Sequence, residues 1–221
     1  MIILDGGLGR ELQAMGAPFR QPEWSALALM EEPKFVRAAH DAFLQAGADI
    51  VTTNSYAIVP FHIGESVFAE HAHELIRLSG ELARAAVDAS GRPARVAASV
   101  PPMFGSYQPD KFDAKLAVKM MHLFRDQLID YADLFLAETL GSVTEAELFL
   151  TVFKQTKLPV WLSVTLEDVG FVSGKPRLRS GESLVKILAI CDRMPPDALL
   201  FNCSQPEVME DAIRLASKYF S

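Results

Sequence analysis

The chain has little cysteine: two residues in 221, at positions 191 and 203. Twelve residues apart across a helix end and a loop, they make no disulfide framework, which agrees with a reducing, cytoplasmic setting. No apolar run reaches membrane length, and the opening "MIILDGG" has no charged n-region or cleavage signature, so neither a membrane span nor a leader is expected. Runs of Lys and Arg are also missing. With 21 basic against 28 acidic residues, a net charge of -7, the chain lacks the electrostatic footprint of a nucleic-acid binder. A small molecule is the partner this composition suits. The dinucleotide fingerprint is absent too, since "DGGLGRE" places its glycines at 6, 7 and 9 and does not match GxGxxG. No low-complexity linker or shift of composition interrupts the chain, which reads as one domain over residues 1–221.

What is present is alternation. Six short apolar or β-branched runs begin at Ile2, Ala48, Arg95, Asp133, Pro159 and Ala198, with helical segments between them. Strands alternating with helices pair in parallel through crossovers, and runs this continuously apolar suit strands covered on both faces. Pro33 suits an early helical position and Gly47 a C-terminal cap, while "SVTE" from Ser142 to Glu145 reads as a capping box. A doubly wound open sheet and a (β/α)8 barrel both fit this order. Polar residues collect at the ends of the runs: Asp5; Thr52, Thr53 and Asn54; Ser99; Glu138 and Thr139; Ser163 and Thr165; Asn202 and Cys203. Convergence at strand C-termini is how a TIM barrel builds its site, and it favours the barrel. The six runs are expected to form its wall in chain order, with Asp5, Asn54, Glu138 and Cys203 opening onto one end.

The segments "ILDGGLGRELQAMG", "AGADIVTTNSYA", "LAET", "WLSVTL" and "FNCS", in that order, resemble the homocysteine S-methyltransferase family. These are zinc-dependent (β/α)8 barrels that move a methyl group onto the thiol of homocysteine to give methionine. The resemblance implies homocysteine and a methyl donor as substrates, with a sulfonium donor, S-methylmethionine or S-adenosylmethionine, ahead of betaine. It implies substrate contacts from Asp5, Gly6, Thr52, Asn54, Tyr56, Glu138 and Asn202, with Asp5 and Glu138 facing each other across the barrel mouth to accept from the ammonium group. It also implies that Cys203 is one of three thiolate zinc ligands. The other two lie in a Gly-Gly-Cys-Cys segment of the family that is not in this sequence. The expectation is therefore about six β/α units of an incomplete barrel, without strands seven and eight. Zinc should be weak or absent in this chain, methyl transfer lost with it, and open edges should invite homo-oligomers.

Two rivals follow from other chemistry. A non-catalytic barrel fragment that binds a small amino acid fits an incomplete metal site. A Schiff-base aldolase does not, because Lys154, Lys157 and Lys175 fall in helix-end or loop segments and none at a strand C-terminus. Cys191, inside "SLVKILAICDRM", reads as core. His71 and His73 are two apart, on different helix faces, and read as solvated. His40 reads as structural, whereas His62 follows the second run and is within reach of a site there. The loop "PPMFGSYQPD", residues 101–110, punctuated by Pro and Gly, either covers the site or only connects.

Overall fold

The structure is a computed structural model that describes residues 1–219; residues 220 and 221, the end of the expected domain, lie outside the described residues. The chain divides into two compact units. The first comprises Met1–Val100 and His122–Phe135, the second Pro101–Met121 and the residues from Leu136 onward.

The first unit carries α1 (Leu8–Ala14), α2 (Ser25–Glu31), α3 (Pro33–Ala46), β1 (Ile50–Thr52), α4 (Pro60–Ile63), α5 (Glu65–Ser90) and β2 (Arg95–Val100). α6 (Ala114–Leu128) and β3 (Leu134–Leu140) pass from one unit into the other. The second unit adds α7 (Val143–Phe153), β4 (Val160–Val164), α8 (Leu184–Arg193), β5 (Ala198–Phe201) and α9 (Pro206–Ala216). The five strands form one sheet in the order β1-β2-β3-β4-β5, and β1 pairs with β2, and β4 with β5, in parallel. This is the α/β alternation that the sequence leads one to expect, with helices as crossovers.

The first apolar run differs from the expected strand in length. It makes one parallel bridge, Leu4 to Ile50, and Asp5 N–H donates to the Ile50 carbonyl at 2.8 Å. Pairing then ends because Gly6 and Gly7 turn the chain into α1, whose N-cap is Gly7. Elsewhere the local signals act as read. Pro33 opens α3 and Gly47, at φ 105°, closes it in the left-handed conformation that glycine adopts without a steric cost. All five residues of β4 are buried, as are Val96–Val100 of β2, which a strand covered on both faces requires.

At the start of α7 the Ser142 hydroxyl accepts from Glu145 N–H, as a capping box demands. The Glu145 carboxylate differs from the simple motif in its partners. It accepts from Gly141 N–H and Ser142 Oγ, both at 2.9 Å, so that it also ties the end of β3 to the helix. Its burial pushes its pKa up, against those hydrogen bonds, which lower it. Ser142→Ala removes the cap and one support of a buried carboxylate. The expected cost is about 1–2 kcal/mol in urea unfolding, and an unchanged midpoint would contradict it.

Within the second unit Asn202, next after β5, bonds both Ser163 of β4 and Thr139 of β3, so that one side chain ties together the ends of three neighbouring strands.

Candidate functional site

In the first unit the polar residues gather where Asp5 meets the end of β1. The Asp5 carboxylate accepts from Thr52 N–H at 2.7 Å through one oxygen and from the Thr52 hydroxyl at 2.5 Å through the other. Burial is the largest influence on this group and raises its pKa, while the Thr52 bonds act the other way. Gly6 is small for a reason: a Cβ there would meet Cε1 of Phe43 at 3.0 Å. Two residues past Thr52, Asn54 is buried. Its Nδ2 donates to the Ser25 carbonyl at 3.0 Å, and its Oδ1 has no partner among the described residues. A buried acceptor without a donor is costly, so Asn54 Oδ1 is suited to a ligand N–H or a water. Thr53, Ser55 and Ser99 complete a buried chain of hydroxyl bonds that holds the β1 end to β2.

Tyr56 is half-buried, with its ring 6.5 Å from that of His62. His62 is buried, bonds the Pro22 carbonyl through Nδ1 at 2.9 Å, and has Trp24 and Phe61 rings at 6.3 and 4.9 Å. Burial lowers its pKa. Trp24 is half-exposed and holds φ 49°, a left-handed value unusual for a bulky side chain. The result is an aromatic cluster with one face open to solvent.

In the second unit β3 is buried at every position except Glu138, which is half-buried near the strand's C-terminal end. The next residue, Thr139, is buried and holds φ 61°, an outlier for a β-branched side chain; Cys203, exposed, holds φ 50°. These two strained residues meet. Thr139 Oγ1 lies 3.6 Å from Cys203 Sγ, and Asn202 Nδ2 lies 3.5 Å from the same sulfur. Asn202 is fully engaged: Oδ1 accepts from Thr139 N–H and Ser163 Oγ, and Nδ2 donates to Thr139 Oγ1 at 2.9 Å. Tyr107, from the loop of residues 101–110, stands beside the Cys203 sulfur, and burial there raises the tyrosine pKa to about 12.

Around this group stand residues that the sequence gives no pattern to find. Arg179 donates to the Cys203 carbonyl at 3.1 Å, pairs with Asp168 at 2.5 Å, and lies 4.9 Å from the Tyr107 ring centroid. Asp168 in turn accepts from Gln205 N–H, just ahead of α9. Thr165, one of the run-end residues marked in the sequence, also donates through Oγ1 to the Cys203 carbonyl. Asp168 and Arg179 are eleven residues apart in a loop, without periodicity, and only folding brings them together.

The remaining residues fall where the sequence puts them. Cys191 is buried in α8, with its thiol pushed up to about 11 by that burial. His71 and His73 are exposed on α5. Lys154 caps α7 and donates to the Pro195 carbonyl, and Lys157 and Lys175 are exposed in loops. No helix among the described residues is long and apolar enough to cross a membrane.

Comparison with known proteins gives one consistent result. The family model described as homocysteine S-methyltransferase matches residues 2–220. Homocysteine S-methyltransferase 4 of Zea mays is 31% identical over 246 residues, covering 99% of this chain and 70% of that protein. Homocysteine S-methyltransferase 1 of Brassica oleracea var. italica is 31% identical over 242 residues, covering 98% and 72%. Among solved structures, the metallated form of the homocysteine methyltransferase MmuM from Escherichia coli superposes with a TM-score of 0.83 at 28% identity, covering 99% of this chain and 80% of that one.

Proposed function

The chain belongs to the homocysteine S-methyltransferase family, and from that membership we propose that it transfers a methyl group from a sulfonium donor, S-methylmethionine or S-adenosylmethionine, to homocysteine. The observation that carries the proposal is the family match over residues 2–220. In the reaction a lone pair of the homocysteine sulfur forms the new bond to the methyl carbon. The bond from that carbon to the donor's sulfonium sulfur breaks with its electrons, which leaves a neutral sulfide, and the thiol proton passes to solvent.

The protein's part is binding and orientation. Glu138 is proposed to accept from the ammonium group of homocysteine, because a half-buried carboxylate at the end of an otherwise buried strand is suited to a charged donor. In the first unit Asp5, positioned by Thr52, and Asn54 Oδ1, which has no partner among the described residues, are proposed as acceptors for a polar ligand group there, with Gly6 and Tyr56 beside them in sequence.

The zinc that the resemblance implies does not fit the described residues as a complete set. No group of three or more His, Cys, Asp or Glu among them is placed to hold a metal ion. The side chains on Cys203 Sγ are Thr139, Asn202 and Tyr107, of which none is a second thiolate or an imidazole. One thiolate does not make the tetrahedral set that zinc takes, so no step here is routed through a metal; the proposed transfer stands in place of the loss of transfer that the resemblance leads one to expect, and the rival is a fragment that binds the amino acid without reaction.

The aromatic cluster supports a cationic donor, because Trp24, Tyr56 and Phe61 lie around His62 with one side open to solvent and aromatic rings attract a cation; the choice of a sulfonium over a quaternary ammonium rests on the family resemblance. Initial rates with S-methylmethionine, S-adenosylmethionine and betaine test this. A sulfonium donor should have the highest kcat/KM, and Trp24→Ala should raise its KM about 3- to 30-fold while leaving the homocysteine KM unchanged. Betaine as the best donor, or an unchanged donor KM in Trp24→Ala, would contradict the assignment.

A further inference from the structure

We propose that Asn202 is a positioning residue which aims the Cys203 sulfur, and that it does not itself contact the substrate. Left-handed backbone at a non-glycine residue persists only where the surroundings over-determine it. Among the described residues four non-glycine positions have positive φ, and three of them, Tyr107, Thr139 and Cys203, meet at one sulfur. Asn202 is the side chain that joins two of these three. Its Oδ1 accepts from the Thr139 N–H at 3.2 Å, which fixes the peptide that enters the strained threonine. Its Nδ2 donates to Thr139 Oγ1, so that the threonine's own proton is free to point at the sulfur. The same amide group lies 3.5 Å from the sulfur directly.

Every polar atom of the Asn202 side chain thus has a protein partner, and these include the backbone and hydroxyl of Thr139 and the thiol of Cys203. The remaining bond, from Ser163 Oγ to Oδ1 at 2.9 Å, anchors the amide over β4 and leaves both Nδ2 protons for Thr139 and the sulfur. An aspartate at this position retains the acceptor side of the arrangement and loses the donor side. This distinction separates aiming the sulfur from merely bracing the sheet.

The test uses Asn202→Ala, Asn202→Asp and Ser163→Ala, and the kinetic arm rests on the methyltransferase reading. Both Asn202 variants should change the rate at which iodoacetamide alkylates the exposed Cys203 thiol about threefold or more, with the homocysteine KM within about threefold of wild type. Ser163→Ala should leave that rate within about twofold, since it leaves the donors in place. The second arm is independent of activity. Protein labelled with 13C at the cysteine Cβ gives labelled side-chain signals from Cys191 and Cys203 alone, and the Cβ shift reports on the attached sulfur. Both Asn202 variants should shift or broaden the Cys203 signal and leave that of Cys191 in place, and Ser163→Ala should move neither. A rise in homocysteine KM at an unchanged alkylation rate would make Asn202 a substrate contact and overturn the proposal. An unperturbed Cys203 signal in Asn202→Asp would overturn it as well, whether or not the wild-type protein transfers methyl groups.

Discussion

Glu138→Gln should weaken homocysteine binding about 10- to 150-fold, because a hydrogen bond to a charged group contributes about 1.5–3 kcal/mol and the amide retains the shape but not the charge. Six of the seven residues of β3 are buried, so the strand forms its core contacts without this side chain. Binding is therefore expected to be weakened far more than folding is disturbed, and the loss should appear in titration calorimetry. Equal affinity in wild type and variant would remove Glu138 from the binding set and with it the main contact proposed for the amino acid end of the substrate.

The second large effect is on stability and comes from His40. This residue is fully buried in α3, and neither ring nitrogen has a hydrogen-bond partner among the described residues. Burial lowers its pKa from the ordinary 6.5 to about 4; the neighbouring Asp41 charge raises it somewhat and Arg37 lowers it. Between those two values the unfolded chain binds a proton at this site and the folded chain does not. Stability should accordingly fall as the pH drops from about 6.5 towards 4, by about 3 kcal/mol in all, with no contribution from this residue at higher pH. Asp5 and Glu145 act in the opposite sense. Their raised pKa values mean that the folded state holds protons longer, so their contribution is present at low pH and lost as the pH rises through those values. The difference between wild type and His40→Leu isolates the histidine. Urea unfolding across this range should show a smaller acid loss in the variant, and parallel curves would contradict the account.

Much of the fold is legible in the sequence because its signals are local. The crossover order follows from runs at Ala48, Arg95, Asp133, Pro159 and Ala198, and the structure has a strand at each. Pro33, Gly47 and Ser142 act through backbone geometry and hydrogen bonds within a few residues, which a linear reading can see. The length of the first run is not legible, because apolar character gives no sign of where Gly6 and Gly7 end the pairing. The sequence marks the strand-end residues Asp5, Asn54, Glu138 and Cys203 by chemistry and position. It does not show that both oxygens of Asp5 are engaged by Thr52, or that the Asn202 amide is taken up by Thr139, Ser163 and Cys203. Nor does it mark Tyr107, Asp168 and Arg179. These are long-range contacts made by loops, where no period relates one residue to the next, and the strained φ at Thr139 and Cys203 has no compositional sign at all.

The central claim is that homocysteine accepts a methyl group from a sulfonium donor on this protein. It is tested most directly by incubating the purified protein with homocysteine and S-methylmethionine or S-adenosylmethionine, each deuterated in its transferable methyl group, in buffer containing zinc. The methionine formed is then analysed by mass spectrometry against a protein-free control. The account predicts methionine that carries the deuterated methyl group at a rate proportional to protein concentration and well above the control. Labelled methionine at no more than the control rate with either donor would contradict it.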